Sequence, residues 1–191
     1  MQKIIETMRR VCPVSDATVR KLAERLVACS FPKRHRLIRE NVYSRCAYFI
    51  ERGMTRSFWP VDGNEITTSF LGDGGLVFSM DELYYDRPSE EVVETLEAVD
   101  AYRIALTDLR ELWETDLELC NWGRIIHQNE YRRLHRSHQE RLTLSARERY
   151  EAFQRQFPDV CRRVNLRHLA SYLGITLSTL SRLRGGDPVS R

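Results

Sequence analysis

The 191-residue sequence predicts an α+β protein with an N-terminal β jelly roll, a long linking helix and a C-terminal helical helix-turn-helix domain. Three patterns carry this reading. Residues 30–106 break into short segments of alternating polarity, separated by Gly53, Asp62-Gly63 and Gly72-Asp-Gly-Gly75, which is the rhythm of hairpins in a sandwich or barrel. Residues 116–142 then hold an unbroken helical periodicity. Finally, two short apolar faces lie either side of Gly174, Leu166, Leu169, Ala170 and Leu173 before it and Leu177, Leu180 and Leu183 after it. The expected divisions are a barrel domain with N-terminal helices over 1–115, a linking helix over 116–143 and a helix-turn-helix domain over 144–191.

In order along the chain, residues 3–11 and 16–28 read as short helices. Ser15 or Asp16 caps the second, and Val19, Leu22, Leu26 and Val27 give it an apolar face. The strands expected next are Leu37-Ile38, Ala47–Ile50, Met54–Trp59, Glu65–Leu71, Glu91–Leu96 and Ala101–Leu106. Thr107 or Asp108 starts a short helix. The run from Asp116 to Leu142 makes a helix of about 40 Å at 1.5 Å per residue. Its apolar seam, Leu119, Trp122, Ile125, Ile126 and Asn129 with Leu134 beyond, is the expected homodimer interface, Asn129 being a polar break within it. Ser145-Ala-Arg-Glu148 has the form of a capping box and opens a helix that runs to Gln156 before Pro158.

The last two helices carry the chemistry. Ala170 falls where crossing helices come closest, Gly174 where the chain must reverse, and Thr176 is placed to cap the second helix. Two amphipathic helices around a glycine also occur in plain helical bundles. Here, however, the outer face of the second helix holds Ser178, Thr179, Ser181, Arg182 and Arg184 rather than the Glu/Lys mixture of a solvated surface. The pattern implies binding to double-stranded DNA, with Ser178 and Arg182 at base edges and Thr179 at a base or phosphate. Arg167, His168 and Thr176, with Arg162, Arg163 and Arg184 nearby, are expected on or near phosphates.

Charge agrees with this placement. Residues 124–191 hold 14 Arg and no Lys against 6 acidic residues, a balance of +8, whereas residues 1–123 hold 16 basic and 21 acidic residues, a balance of −5. An arginine-rich segment suits forked contacts to phosphate and guanine, and counterion release favours a polyanion. No run approaches the ~20 apolar residues that span a bilayer, and Met1-Gln-Lys-Ile-Ile-Glu lacks a signal-peptide core, so no membrane association and a cytoplasmic location are expected. Cys12, Cys29, Cys46, Cys120 and Cys161 are scattered and odd in number, and read as buried thiols rather than a disulfide or zinc framework.

Tyr48-Phe-Ile-Glu-Arg-Gly53, Asp62-Gly-Asn-Glu-Ile66 with Thr67-Thr-Ser-Phe-Leu71, and above all Leu173-Gly-Ile-Thr-Leu-Ser-Thr-Leu-Ser-Arg-Leu183 resemble the Crp-Fnr family of bacterial transcription regulators over nearly the whole chain. The resemblance implies a cyclic-nucleotide-binding-like barrel that senses a signal, promoter binding as a homodimer, coupling through the long helix, and RNA polymerase as a further partner. It also marks departures. Family members that bind cyclic AMP carry a Gly-Glu-Leu step and an Arg-Ser-Ala segment; here Phe78, Ser79 and Met80 stand at the first, and Arg87-Pro-Ser89 with Glu90 and Glu91 lies near the second. A carboxylate facing a cyclic phosphate is repulsive, so cyclic AMP binding of the usual kind is not expected. An effector pocket, if rebuilt for another small molecule, involves Phe78, Ser79, Met80, Arg87 and Ser89. The four cysteines of an N-terminal iron–sulfur cluster are missing, and His127, His135 and His138 read as helix-face histidines, so no metal or cofactor is assigned. Gly185–Arg191 is too short for the family's two-stranded wing.

Two other classes compete. A cupin-like enzyme needs a histidine-rich set within the strands, but His35 is the only histidine between residues 30 and 106, so no catalytic residue is expected. A scaffold with a degenerate barrel is the remaining alternative, separable by salt-dependent DNA binding.

Overall fold

The computed structural model describes residues 1–185. Two helices open the chain, α1 (Gln2–Val11) and α2 (Asp16–Arg25), the second capped by the Ser15 hydroxyl, which accepts the Thr18 amide at 3.3 Å. The apolar periodicity of α2 suggested a helix to residue 28, but it ends at Arg25, and Val27 already belongs to the first strand. The strands are β1 (Val27–Phe31), β2 (Arg36–Ile38), β3 (Cys46–Arg52), β4 (Thr55–Val61), β5 (Asn64–Leu71), β6 (Leu76–Val77), β7 (Val92–Thr95) and β8 (Val99–Ala105), with α3 (Met80–Tyr85) between β6 and β7. They form two four-stranded sheets, ordered β1-β8-β3-β6 and β2-β7-β4-β5, in which every pairing is antiparallel. Leu37, Ile38, Ile50, Val77, Val93, Val99 and Ala101 form a buried cluster drawn from both sheets, as the alternating pattern requires.

A second core joins the sandwich to the flanking helices. Ala47 and Phe49 of β3 pack with Ile4 and Met8 of α1, Leu22 of α2, Leu106, Leu109 and Leu112 of α4 (Leu106–Thr115), and Leu119 and Trp122 of α5 (Leu117–Thr143). Asp116 caps α5, accepting the Glu118 and Leu119 amides at 3.1 and 3.2 Å. Gly123 lets α4 and α5 approach, because a Cβ there would stand 3.0 Å from the Trp113 indole. The expected dimer seam is corrected by this core. Leu119 and Trp122 are 1% and 4% exposed inside it, and Ile125 and Ile126 pack against it, so among the five expected interface residues Asn129 alone lies on the exposed face of α5. The barrel takes the most apolar stripe of the helix.

The third core belongs to α6 (Ala146–Gln156), α7 (Pro158–Arg163), α8 (Leu166–Leu173) and α9 (Leu177–Gly185). Ser145 and Glu148 make the reciprocal capping box that opens α6, and Pro158 starts α7 at a position where its missing N–H costs nothing. Tyr150, Phe153, Val160, Leu169, Leu173 and Leu180 are buried together with Met54 of the barrel, and Phe70 and Leu96 pack onto the same cluster. The helical domain therefore sits on the barrel through a shared apolar core. The cysteines are not uniformly buried: Cys12 is, Cys29, Cys46 and Cys161 are half-buried, and Cys120 is exposed. The expectation about the wing falls on residues 186–191, outside the described residues.

Candidate nucleic-acid interface

Asn165 caps α8 by accepting the Arg167 amide at 2.9 Å. The helix ends at Gly174, whose φ of +66° is a left-handed conformation that glycine adopts without strain, and a Cβ there would meet nothing within 4 Å. The conformation, not the space, requires the glycine. The Ile175 amide reaches back to the Ala170 carbonyl at 3.0 Å and closes the turn. Thr176 then caps α9, its Oγ1 accepting the Thr179 amide at 3.1 Å. Leu169, Ala170, Leu180 and Leu183 are buried where the two helices cross.

On the opposite side, Ser178, Ser181, Arg182 and Arg184 are exposed and Thr179 is half-buried. The Ser178 and Thr179 hydroxyls both lie 2.9 Å from Thr176 Oγ1, so the start of α9 is a cluster of three hydroxyls around the cap. Burial pushes the Tyr150 phenol and the Cys161 thiol up, and the Arg184 guanidinium opposes both. Arg167 is exposed at the start of α8, and Arg162 is exposed beside Asp159.

Two residues expected on phosphates face the barrel instead. Arg163 pairs with Glu97 in the turn before β8 and lies 4.0 Å from Asp73. His168 points into the second sheet, where its Nδ1 lies 2.5 Å from an Nη of Arg56. Arg56, on β4, is 1% exposed, and its guanidinium also meets Glu94 at 2.6 Å, Glu65 at 2.5 Å and Thr67 Oγ1 at 3.4 Å, with the Phe58 ring 4.2 Å beneath. Beside it, the Thr67 amide donates to Ser171 Oγ at 2.9 Å, and the Ser171 hydroxyl donates to the Glu65 carbonyl at 2.7 Å. The sequence drew no attention to Arg56. An arginine in an alternating strand reads as outward-facing, and only two acids from neighbouring strands and a helix over a hundred residues later make its burial tolerable.

The residues expected to line an effector pocket are engaged in other contacts or exposed. Ser79 is buried and caps α3, Ser89 is buried and donates to the Glu91 carbonyl at 2.9 Å, and Met80 is exposed. Arg87 is held by Asp81 at 2.7 Å and Glu90 at 3.4 Å, and Phe78 packs on His127 with ring centroids 5.7 Å apart. Glu91 accepts from the Thr68 hydroxyl at 2.5 Å. Burial pushes its carboxyl above the usual range; the Thr68 bond lowers it, Asp81 and Glu130 raise it, and Arg133 of α5 lowers it.

A cavity of about 730 Å³ opens instead along α5, between Tyr84, Trp113, Gly123, His127 and Tyr131. His127 is fixed there from both sides, Nδ1 lying 2.6 Å from the Gly123 carbonyl and Nε2 2.6 Å from the Tyr84 hydroxyl. A carbonyl can only accept, so Nδ1 carries the proton and a neutral ring accepts the Tyr84 hydroxyl at Nε2. Among the described residues no group of three or more His, Cys, Asp or Glu side chains could hold a metal ion, and no helix is long and apolar enough to cross a membrane.

The sequence profile of the cyclic nucleotide-binding domain family matches residues 28–116, the strands of the sandwich and α4. Over 84–91% of its length the chain has the fold of solved Crp/Fnr regulators. The c-di-GMP-responsive global regulator CLP of Xanthomonas campestris is 17% identical with a TM-score of 0.70, over 90% of this chain and 91% of that one. FixK2 from Bradyrhizobium japonicum is 18% identical with a TM-score of 0.71, over 84% and 83% of the two chains. A crp/fnr-family regulator from Eubacterium rectale is 15% identical with a TM-score of 0.71, over 91% and 85%. No curated protein sequence matches the chain.

Proposed function

We propose that this chain, which carries a cyclic nucleotide-binding-family barrel within the Crp/Fnr regulator fold, is itself a DNA-binding transcription regulator and not an enzyme. One observation carries the reading: α9 is capped, buries Leu180 and Leu183 and leaves Ser178, Ser181 and Arg182 exposed, which is what a helix entering a major groove needs. Arg182 reads a guanine through O6 and N7, Ser178 reads a neighbouring base edge, and Arg167 with Arg162 holds phosphates. The divisions at 1–115, 116–143 and 144–191 are the sensing, linking and reading parts.

The active form is a homodimer in the cytoplasm, acting on promoter DNA with RNA polymerase as a partner. Its support is the exposed face of α5. Leu117, Cys120, Arg124, Tyr131, Leu134 and His138 are exposed there, and half-buried His127 completes an alternating three-and-four spacing. That is the seam of a two-stranded coiled coil, and a partner helix on it covers the aromatic cavity. Cyclic AMP is not the effector in this reading, which is supported by half-buried Glu91 lying near the place where the family resemblance expects a cation, and by Arg87 being turned to Asp81 and Glu90.

Selection from a random duplex library at near-physiological salt tests the reading. Enrichment of a palindrome with half-sites about one helical turn apart is the expected result. Recovery of no motif by a dimeric, folded protein contradicts it.

A further inference from the structure

Docking on the barrel and docking on DNA make competing demands on α8. The β4–β5 turn at Gly63–Ile66 faces Arg167, His168 and Leu177 across a cleft of about 550 Å³. Such a space suits a small molecule, not a duplex. The turn also brings Glu65 to the cleft that Arg167 lines. We propose that His168 is a pH-sensitive latch, holding α8 on the barrel in a form closed to DNA while its ring is neutral and releasing the helical domain when the ring is protonated. The closed form matters only if α9 reads DNA, so this part rests on the function proposed above.

The geometry dictates the protonation state. Arginine offers only donors, so the Nδ1 facing Arg56 must present its lone pair, and the docked ring is neutral. A second cation there would face a guanidinium already buried at 1% exposure. The charged groups around the ring are Arg56 from β4, Glu65 from β5, Glu94 from β7 and Arg167 from α8 itself. Burial holds the imidazole below its ordinary value, Arg56 and Arg167 push the same way, and Glu94 and Glu65 oppose them without reversing the sign. A lowered value in the docked form means that the released form binds the extra proton. The His168 contribution to docking is therefore fully present above about pH 6.5 and weakens by up to about tenfold per pH unit as the pH falls from there towards the docked value.

The Thr67 amide, sealed by Ser171 Oγ, reports docking directly. Hydrogen exchange on the full chain, corrected for the intrinsic pH dependence, is expected to show Thr67 protection falling, by up to about tenfold, between about pH 8 and about pH 5.5, with β3 amides unchanged. His168→Gln keeps an acceptor for Arg56 but does not titrate, and should hold the same protection at both values. An equal fall in parent and His168→Gln overturns the latch. For the closed form, Ser171→Glu sets a carboxylate against the Glu65 carbonyl and leaves His168 intact. At about pH 8 it should bind a random duplex of about 30 base pairs several-fold more tightly than the parent despite its added negative charge; equal or weaker binding overturns the competition with DNA. If no form of the protein binds any duplex at either pH, the DNA-binding function itself fails, while the exchange result still decides the latch.

Discussion

The phenolic oxygen of Tyr172 lies 3.2 Å from a guanidinium nitrogen of Arg133, joining the first helix of the helix-turn-helix to the middle of the long helix. Glu130 steadies the same guanidinium at 2.5 Å, and Arg141, two turns on, donates to the Tyr172 carbonyl at 2.9 Å. The Tyr172 ring also packs on Phe70 and Phe153, at 5.6 and 5.0 Å between centroids. Barrel, long helix and C-terminal helical domain thus meet at one side chain. Tyr172→Phe keeps the ring contacts and removes the bond, so it should cost about 1 kcal/mol and lower the melting temperature by about 2–4 °C. Calorimetry checks this, and an unchanged melting temperature would mean that the bond does not hold the domains.

Arg182→Ala should relax preference at one base pair of each half-site, with a loss of about 1–3 kcal/mol in discrimination. Binding to a matched and a singly mismatched duplex separates this from a phosphate contact. Uniform weakening on both would remove the base-reading role.

The cap of the long helix should make stability acid-sensitive. Burial raises the Asp116 carboxyl, but bonds from Lys21, the Leu119 amide and Thr18, with the Lys21 charge, bring it below the ordinary range. A depressed carboxylate contributes stability that is fully present above its unfolded value of about 3.9 and is lost as the pH falls through the folded one. Asp116→Asn should be less stable than the parent near neutral pH, with the gap narrowing at about pH 3. Urea midpoints at the two pH values test this; a constant gap would mean that charge is not what the cap supplies.

Gly123→Ala sets two effects against each other. Alanine is better than glycine in a helix by about 1 kcal/mol, whereas overpacking costs about 1–3 kcal/mol. With the new Cβ 3.0 Å from the Trp113 ring, the second should win and leave a net loss of up to about 2 kcal/mol. A variant as stable as the parent would show that the indole swings aside freely.

What could be read from the residues was local. β2, β3, β4, β5, β7 and β8, the Thr176 cap, the Ser145–Glu148 box and the left-handed Gly174 follow from patterns within a few residues. β1 was hidden because Val27 and Ala28 continue the apolar phase of α2, and α7 because a proline that opens a helix looks like one that ends it. The apolar stripe of α5 was read on the right residues, but the barrel covers it, since periodicity shows which stripe is apolar and not what covers it. The pairing of His168 with Arg56 spans 112 positions and leaves no local trace.

β5 is the last strand of its sheet, and the Glu65 carbonyl and Thr67 amide are both closed by the Ser171 hydroxyl, which stands where a neighbouring strand would be. α8 therefore covers a strand edge as well as packing against α9. Lifting it bares a strand edge ready to pair with the same edge of another molecule, and unpaired edges of this kind seed aggregation. Handling at high concentration should then be safest under the conditions that keep the helical domain seated, and precipitation on release would be self-association of an otherwise intact barrel rather than its unfolding.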